Sequence, residues 1–332
     1  MCTAVTYQTR EFFYFGRTLD HTESYGEAIA VTPRRYPFYV RSAETIQDHF
    51  AVIGTAHVSS GYPLYYDAVN EKGLAMAGLH FLHSAVYRQP QPDRTNLAVF
   101  ELIPWILGCC ASVREARTAL EQINLTTEPF CRDLPPAPLH WLLADRQGAV
   151  VIEPTAEGLM VHDDPVGVLT NEPPFPMQLQ HLNNYRHLSP RTGESVFAPG
   201  LDLPVYSRGM GAMGLPGDWS SQSRFVRAAF ARGNAPSHSS EADSVGQVFQ
   251  ILGSVAQPRG CCEVEPGQYE TTRYAAVCNA DKGIYYYTTE ENHQITAVDL
   301  HRENLDGTTL AQYPLCRQEA VLFEQQSPQP KG

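Results

Sequence analysis

The apolar segments of this 332-residue chain come in blocks: short strand-like runs, then helical stretches, then strands, helices and strands again. Inside the strand blocks only brief turn segments separate one run from the next, which is the spacing of antiparallel hairpins. Parallel strands need a crossover of a dozen or more residues each time, so strict βαβ winding is excluded as the organising pattern. The order predicts an α+β chain in which antiparallel sheets pack face to face with helices outside, in one layered unit.

In the first block, residues 2–7, 12–16, 28–31, 50–54 and 73–80 are rich in β-branched and aromatic side chains, with turn residues such as Asn70-Glu71-Lys72-Gly73 between them. Residues 96–107 are apolar nearly all round, as a buried helix would be. Ser112 opens Ser-Val-Arg-Glu, a capping box with Glu115, and Val113, Ala116, Leu120 and Ile123 follow at helical spacing. The Pro-rich piece from Asp133 to Pro138 is a loop. Residues 139–144, 149–153 and 167–170 are again strand-like, and 177–188, 223–232 and 245–255 helical. Three strands at hairpin spacing, 271–279, 283–288 and 294–300, close the pattern. Residues 2–324 are expected to form a single domain, and the polar, Pro-containing stretch 325–332 a disordered tail.

Composition narrows the partners. Hydrophobic residues at 43% and charged residues at 18% exclude wholesale disorder. Lys and Arg total 24 against 36 Asp and Glu, a net charge of −12 with no compensating basic run, which excludes nucleic acid as a partner. The best apolar run, residues 97–113, is interrupted by Glu101 and Pro104, so no membrane span is expected. The N-terminus has no basic segment followed by an apolar one, and the eight cysteines form no C-x-x-C pair. Most of those thiols read as small buried hydrophobes in a reducing cytosol, and the chain as a soluble cytoplasmic protein.

Gly209-Met210-Gly211-Ala212-Met213-Gly214 matches the dinucleotide fingerprint G-x-G-x-x-G. That fingerprint needs a helix starting inside it, and Leu215-Pro216-Gly217-Asp218 breaks one in its first turn. A glycine-rich loop is the better reading. His80 and His83 lie at a strand end without a third ligand nearby in sequence and read as loop histidines. No metal or cofactor is expected.

Cys2 is a different matter because of its place. If Met1 is removed, which a small second residue permits, one carbon carries both a thiol and a free α-amine. The two groups are roughly matched in acidity, so the amine can serve as the base for its own nucleophile. Position alone is weak support, since any chain can have cysteine second.

The residues around Cys2 add weight. Phe15-Gly16-Arg17-Thr18-Leu19-Asp20, Tyr62-Pro63, Asp67-Ala68-Val69-Asn70-Glu71-Lys72-Gly73-Leu74, Leu139-His140-Trp141 and Gly167-Val168-Leu169-Thr170-Asn171 follow in order. Gly214-Leu215-Pro216-Gly217-Asp218 with Ser223-Arg224-Phe225, then Lys282-Gly283-Ile284-Tyr285-Tyr286-Tyr287 and Glu303-Asn304-Leu305-Asp306-Gly307, complete the set. Together these blocks, spread from residue 2 to about 307, resemble the choloylglycine hydrolase family, which comprises bile salt hydrolases and penicillin V acylases.

The resemblance implies a four-layer αββα N-terminal nucleophile hydrolase sandwich and assigns roles. Cys2 would be nucleophile and base, Arg17 would hold the thiolate, and Asp20 would orient the N-terminal amine. Asn171 would donate its side-chain amide to the oxyanion, and Arg224 would complete the charge network. His80 stands where bile salt hydrolases usually carry Asn and penicillin V acylases commonly Tyr. An imidazole can still donate one hydrogen bond there, although the position no longer separates the two branches.

The expected reaction is amide hydrolysis of a glycine- or taurine-conjugated bile salt through a Cys2 thioester. Penicillin V acylase or another N-acyl amidase is the same-fold alternative, and a non-catalytic relative with retained Met1 the alternative of a different class. Leu19, Tyr25, Tyr62, Tyr66, Phe130, Leu134 and Ala137 are the expected walls of an apolar steroid pocket. A homo-oligomer, a tetramer by resemblance, is expected.

Overall fold

The computed structural model describes residues 1–42, 45–237 and 240–324, so the expected tail lies outside the described residues. In chain order the strands begin with β1 (Cys2–Gln8), β2 (Phe13–His21), β3 (Ala28–Thr32), β4 (Val52–Ser59), β5 (Tyr62–Asn70) and β6 (Ala75–His80). The middle of the chain adds β7 (Thr95–Ala98), β8 (Ile123–Thr126), β9 (Leu139–Asp145), β10 (Gly148–Thr155), β11 (Gly158–Asp163) and β12 (Val168–Leu169). The last are β13 (Glu263–Glu265), β14 (Gln268–Tyr269), β15 (Thr271–Asn279), β16 (Ile284–Thr289), β17 (Asn292–Asp299) and β18 (Ala311–Pro314). Five α-helices are present among the described residues: α1 (Leu102–Cys109), α2 (Val113–Leu120), α3 (Phe175–His181), α4 (Ser221–Asn234) and α5 (Glu241–Gly253).

Two antiparallel sheets form the centre. One has six strands in the order β12-β1-β2-β15-β16-β17, the other eight in the order β11-β10-β9-β6-β5-β4-β3-β18. Helices α4 and α5 pack on β1, β2 and β15, while α1 and α2 pack on β4, β5, β6, β9 and β10. The result is the α+β four-layer sandwich. Strand β2 shows what this burial does to sequence. All but its last residue is buried, because one face meets helices and the other the second sheet, so no apolar–polar alternation survives. At Gly16 a Cβ would lie 2.9 Å from the Ala276 carbonyl and 3.2 Å from Val248 and Leu252 of α5, a helix approach that only glycine allows.

Several expected boundaries shift, for physical reasons. Residues 96–107 are not one helix: β7 pairs in parallel with β8, and a single turn at Val99–Glu101 precedes α1. Glu101 fixes that change by accepting the N–H groups of Ala98 and Arg41, each at 2.8 Å. Ser112 caps α2 as expected, its hydroxyl accepting from the Glu115 N–H at 3.3 Å. The Glu115 carboxylate reaches back one residue further, to the Ala111 N–H at 2.8 Å, so the box is not reciprocal. Helix α3 begins two residues before the expected stretch and ends at His181, passing into a short 3-10 turn, Leu182–Tyr185. Strand β5, absent from the sequence reading, contains Pro63 opposite Val58, a residue type that hides a strand from pattern.

Two bulges matter later. Thr55 pairs with Asp67 but Ala56 with Tyr65, which leaves Tyr66 as the extra residue in β5. Likewise Asp20 pairs with Thr272 and Leu19 with Tyr274, leaving Arg273 extra in β15. Each bulge re-aims the side chains on either side of it.

Candidate active site

Cys2 is the first residue of β1, paired with Leu19 of β2 and 3% exposed. Its three polar atoms are each held by a different side chain. The sulfur accepts from Arg17 Nη2 at 2.9 Å. The backbone N–H donates to Asn171 Oδ1 at 3.0 Å. The carbonyl accepts from Arg224 Nη1 at 2.5 Å. Arg224 also donates to Asn171 Oδ1 at 2.7 Å and to Thr3 Oγ1 at 2.7 Å, so helix α4, β1 and the loop after β12 meet on one residue.

Arg17 is wholly buried between the sheets. Its Nη1 donates to the carbonyl of the bulged Tyr66 at 3.1 Å and lies 3.7 Å from Asp67 Oδ1. Asp67 in turn accepts from the hydroxyls of Tyr274, at 2.6 Å, and Tyr285. Burial pushes both tyrosine hydroxyls well above their ordinary range, so they stay protonated and donate. Burial also opposes the Arg17 charge, but Tyr274, Cys2 and Asp67 outweigh it and hold the guanidinium above its usual value. The Asp67 carboxyl is raised by burial, with Arg17 and the two hydroxyls acting against that.

Residue 1 continues the β1–β2 ladder: Asp20 N–H donates to the Met1 carbonyl at 2.8 Å. The Met1 ammonium donates to the Asp20 backbone carbonyl at 2.6 Å and to Glu270 Oε1 at 2.8 Å. The Asp20 carboxylate is not on that ammonium. It accepts from Thr272 Oγ1 at 2.6 Å and, more loosely, from Gln257 Nε2 at 3.4 Å and Thr18 Oγ1 at 3.5 Å. Burial raises Asp20, while Arg224 and the N-terminal charge pull it down. The Arg224 guanidinium is lowered by burial against the opposing field of Asp20 and Cys2.

Asn171 Nδ2 donates to the His80 carbonyl at 2.9 Å, which uses one of its two hydrogens and leaves the other for a ligand. His80 ends β6, and burial, the N-terminal ammonium and His21 push its imidazole down to about 4. It is therefore neutral at pH 7, with one ring N–H to give. The His21 ring lies 6.1 Å from that of His80 and 5.1 Å from the exposed ring of Tyr25.

The expected apolar wall divides in two. Leu19 pairs with Cys2, Tyr66 gives its carbonyl to Arg17, and Tyr25 packs its ring on His21. Ala137 adjoins the end of β6: Phe81 N–H donates to the Pro138 carbonyl at 2.8 Å, and Tyr87 Oη to that of Ala137 at 2.7 Å. Tyr62 and Phe130 go elsewhere. Their rings lie 5.7 Å apart and both pack on Phe100, in the core between the eight-stranded sheet and α1. Leu134 follows Phe130, accepting its N–H at 3.1 Å. Tyr62 stands at the tip of the β4–β5 hairpin, opposite Ser59, and packs there on Phe38, Phe100 and Phe130, whereas Asp67 faces the other sheet.

A profile of the linear amide C–N hydrolases, choloylglycine hydrolase family, matches residues 2–313. The chain belongs to the choloylglycine hydrolase family. It is 53% identical over 324 residues, 97% of its own length and 99% of the other's, to a bile salt hydrolase/transferase of Lactiplantibacillus plantarum. It is 34% identical to a bile salt hydrolase/transferase of Clostridium perfringens, covering 94% and 96% of the two chains. Among solved structures, a cysteine-to-alanine variant of the conjugated bile acid hydrolase from Clostridium perfringens superposes with TM-score 0.91 at 32% identity, covering 98% of this chain and 100% of that one. Penicillin V acylase from Agrobacterium tumefaciens, at TM-score 0.76 and 20% identity over 95% and 92% of the chains, shares the fold. This chain is thus a linear amide C–N hydrolase by family.

Sequence reasoning brought together Cys2, Arg17, Asn171 and Arg224 within this choloylglycine hydrolase site, and it missed four side chains. Asp67 pairs with Arg17 and is itself held by the hydroxyls of Tyr274 and Tyr285, and Glu270 holds the N-terminal ammonium. Asp67 and Tyr285 lie inside blocks quoted for the resemblance, but nothing in their spacing says that they meet across two sheets. Glu270 sits between the two-residue strand β14 and the first residue of β15, where no motif marks it.

Proposed function

We propose that this chain hydrolyses the amide bond of glycine- or taurine-conjugated bile salts through a thioester on Cys2. The observation that carries the chemistry is the three-point grip on Cys2, with Arg17 on its sulfur, Asn171 on its nitrogen and Arg224 on its carbonyl. The likeness to bile salt hydrolases supports the substrate.

Once Met1 is removed, the nitrogen of Cys2 becomes an amine. That amine takes the thiol proton as the sulfur attacks the amide carbonyl carbon. The free hydrogen of Asn171 Nδ2 and the neutral ring of His80 donate to the oxyanion. The tetrahedral adduct expels glycine or taurine, which leaves with the proton from the α-ammonium. Water, deprotonated by the same amine, then cleaves the thioester to free bile acid and regenerate the thiol. No step calls for a metal or cofactor. A second amine in place of water gives a new amide, consistent with the transferase half of the relatives' names.

Parallel assays with glycocholate, taurocholate and penicillin V, on protein whose intact mass shows loss of Met1, test this. Faster turnover of penicillin V than of either bile salt, or full activity with Met1 retained, overturns it.

The proposal treats residues 2–324 as one catalytic domain and takes it to be cytoplasmic and homo-oligomeric. All eight cysteines are free, as a reducing compartment requires, and no helix among the described residues is long and apolar enough to cross a membrane. Val196, Phe197, Val205 and Tyr206 are mostly exposed on one stretch between α3 and α4, apolar surface that suits a contact between copies. Light scattering reads the assembly, and a monomer overturns that part.

A further inference from the structure

We infer that Glu270 is the positioning residue for the α-amine of Cys2, an inference that rests on the N-terminal nucleophile reading above. In the chain that carries Met1, Glu270 Oε1 holds the terminal ammonium at 2.8 Å. The Glu270 side chain is only 14% exposed. Its other oxygen, Oε2, is buried with no hydrogen-bond partner among the described residues. Its backbone is fixed as well, since the Glu270 N–H donates to the Cys262 carbonyl at 2.9 Å across the β13–β14 hairpin.

Removal of Met1 takes away the one cation this carboxylate contacts among the described residues. A buried carboxylate without a partner is strongly disfavoured. The new amine arises one residue along the same strand, about 3.3 Å away, within the swing of a glutamate side chain. Asp20, which the resemblance assigns to the amine, is otherwise engaged: Thr272 holds one of its carboxylate oxygens, and Gln257 and Thr18 approach the other. Of the two, Glu270 is the one with an oxygen, Oε2, that has no partner among the described residues. By accepting one N–H of the amine, and with Asn171 Oδ1 accepting another, Glu270 fixes the rotation about the N–Cα bond. The remaining valence, lone pair or proton, then faces the sulfur and the leaving nitrogen. Glu270 does not itself exchange a proton with the substrate.

The test compares wild type, Glu270→Ala, Glu270→Gln and Glu270→Asp on the preferred bile salt, with intact mass and thermal unfolding recorded for each. A misaligned base loses on the order of 10²-fold in rate. Glu270→Ala is therefore expected to lower kcat by about that factor with KM changed less than about threefold, and Glu270→Asp to recover most of kcat. Glu270→Gln, which keeps shape and drops charge, is expected to fall between them and serves as the readout if the alanine variant does not fold. Turnover of Glu270→Ala and Glu270→Gln within about twofold of wild type, or a rise in KM with kcat unmoved, overturns the inference and leaves the thioester mechanism standing. Wild type that is processed yet inactive on every amide overturns both.

Discussion

Both faces of the eight-stranded sheet bury apolar side chains, Ile29, Ile53, Val69, Leu79 and Leu142 among them on the side toward the six-stranded sheet, but only that side also buries a charged network. On the side facing α1 and α2, the core is aliphatic and aromatic: Leu102, Ile106, Leu107, Trp141 and Val52 are all fully buried. On the side facing the six-stranded sheet, the β5 bulge delivers Asp67 to meet Arg17, Tyr274 and Tyr285 next to Cys2. The apolar side is held by area removed from water and tolerates changes of detail. The network around Arg17 on the other side is held by mutual satisfaction of charges and donors, where loss of one member strands the others. Stability can be sought on either face, but the chemistry is confined to the polar one.

The largest effect that separates them is on rate. Cys2→Ala removes the nucleophile while leaving the partners of its nitrogen and carbonyl, so turnover should fall by at least about 10⁴-fold. The unfolding free energy should move by only about 1 kcal/mol. Residual hydrolysis within a hundredfold of wild type, measured on bile salts, would break the assignment of chemistry to this face.

Arg17→Met should damage both properties. It removes the donor on the Cys2 sulfur and leaves Asp67 buried without its cation, a change that costs about 3–5 kcal/mol when one partner of a buried pair is lost. Urea unfolding measures it. A loss of stability below about 1 kcal/mol would mean that Tyr274 and Tyr285 suffice to hold Asp67, and that the polar side is less interdependent than its geometry implies.

On the apolar side the same size of damage should leave chemistry alone. Ile106→Ala in α1 opens a cavity under a fully buried side chain, at a cost of about 2–5 kcal/mol. Its kcat below the melting temperature should stay within about twofold of wild type. A parallel fall in kcat would show that the outer core governs the geometry at Cys2, and would erase the distinction between the two faces.

What the sequence made legible follows the same division. The antiparallel layering showed in hairpin spacing, and Cys2 showed in its place directly after Met1. Arg17, Asn171 and Arg224 were reached only through family resemblance, because they converge on Cys2 from positions 15, 169 and 222 residues away. The bulge at Tyr66 turns Asp67 toward the six-stranded sheet, while Tyr62, at the hairpin tip, joins Phe38, Phe100 and Phe130, and neither fact shows in local pattern. Glu270 escaped because its role depends on where the N-terminus ends up, a tertiary fact with no local pattern.

His80 lies where the two regions meet, at the end of β6 in the eight-stranded sheet but close to the N-terminus, and its titration gives the finest test of the boundary. Burial first, then the N-terminal ammonium, His21 and Arg17, lower it from 6.5 to about 4. Between those values the unfolded chain carries a proton on this imidazole that the folded chain refuses. Stability is therefore full above pH 6.5 and falls as pH drops toward 4, by at most about 3 kcal/mol and less for a side chain that is only partly buried. His80→Asn keeps a donor and cannot titrate, so its urea midpoint should decline less than that of wild type between pH 7 and pH 4.5. His21, lowered by burial and the same ammonium, supplies part of whatever slope is left. Equal declines in the two proteins would place His80 in water in the folded state, outside the polar side to which its neighbours tie it.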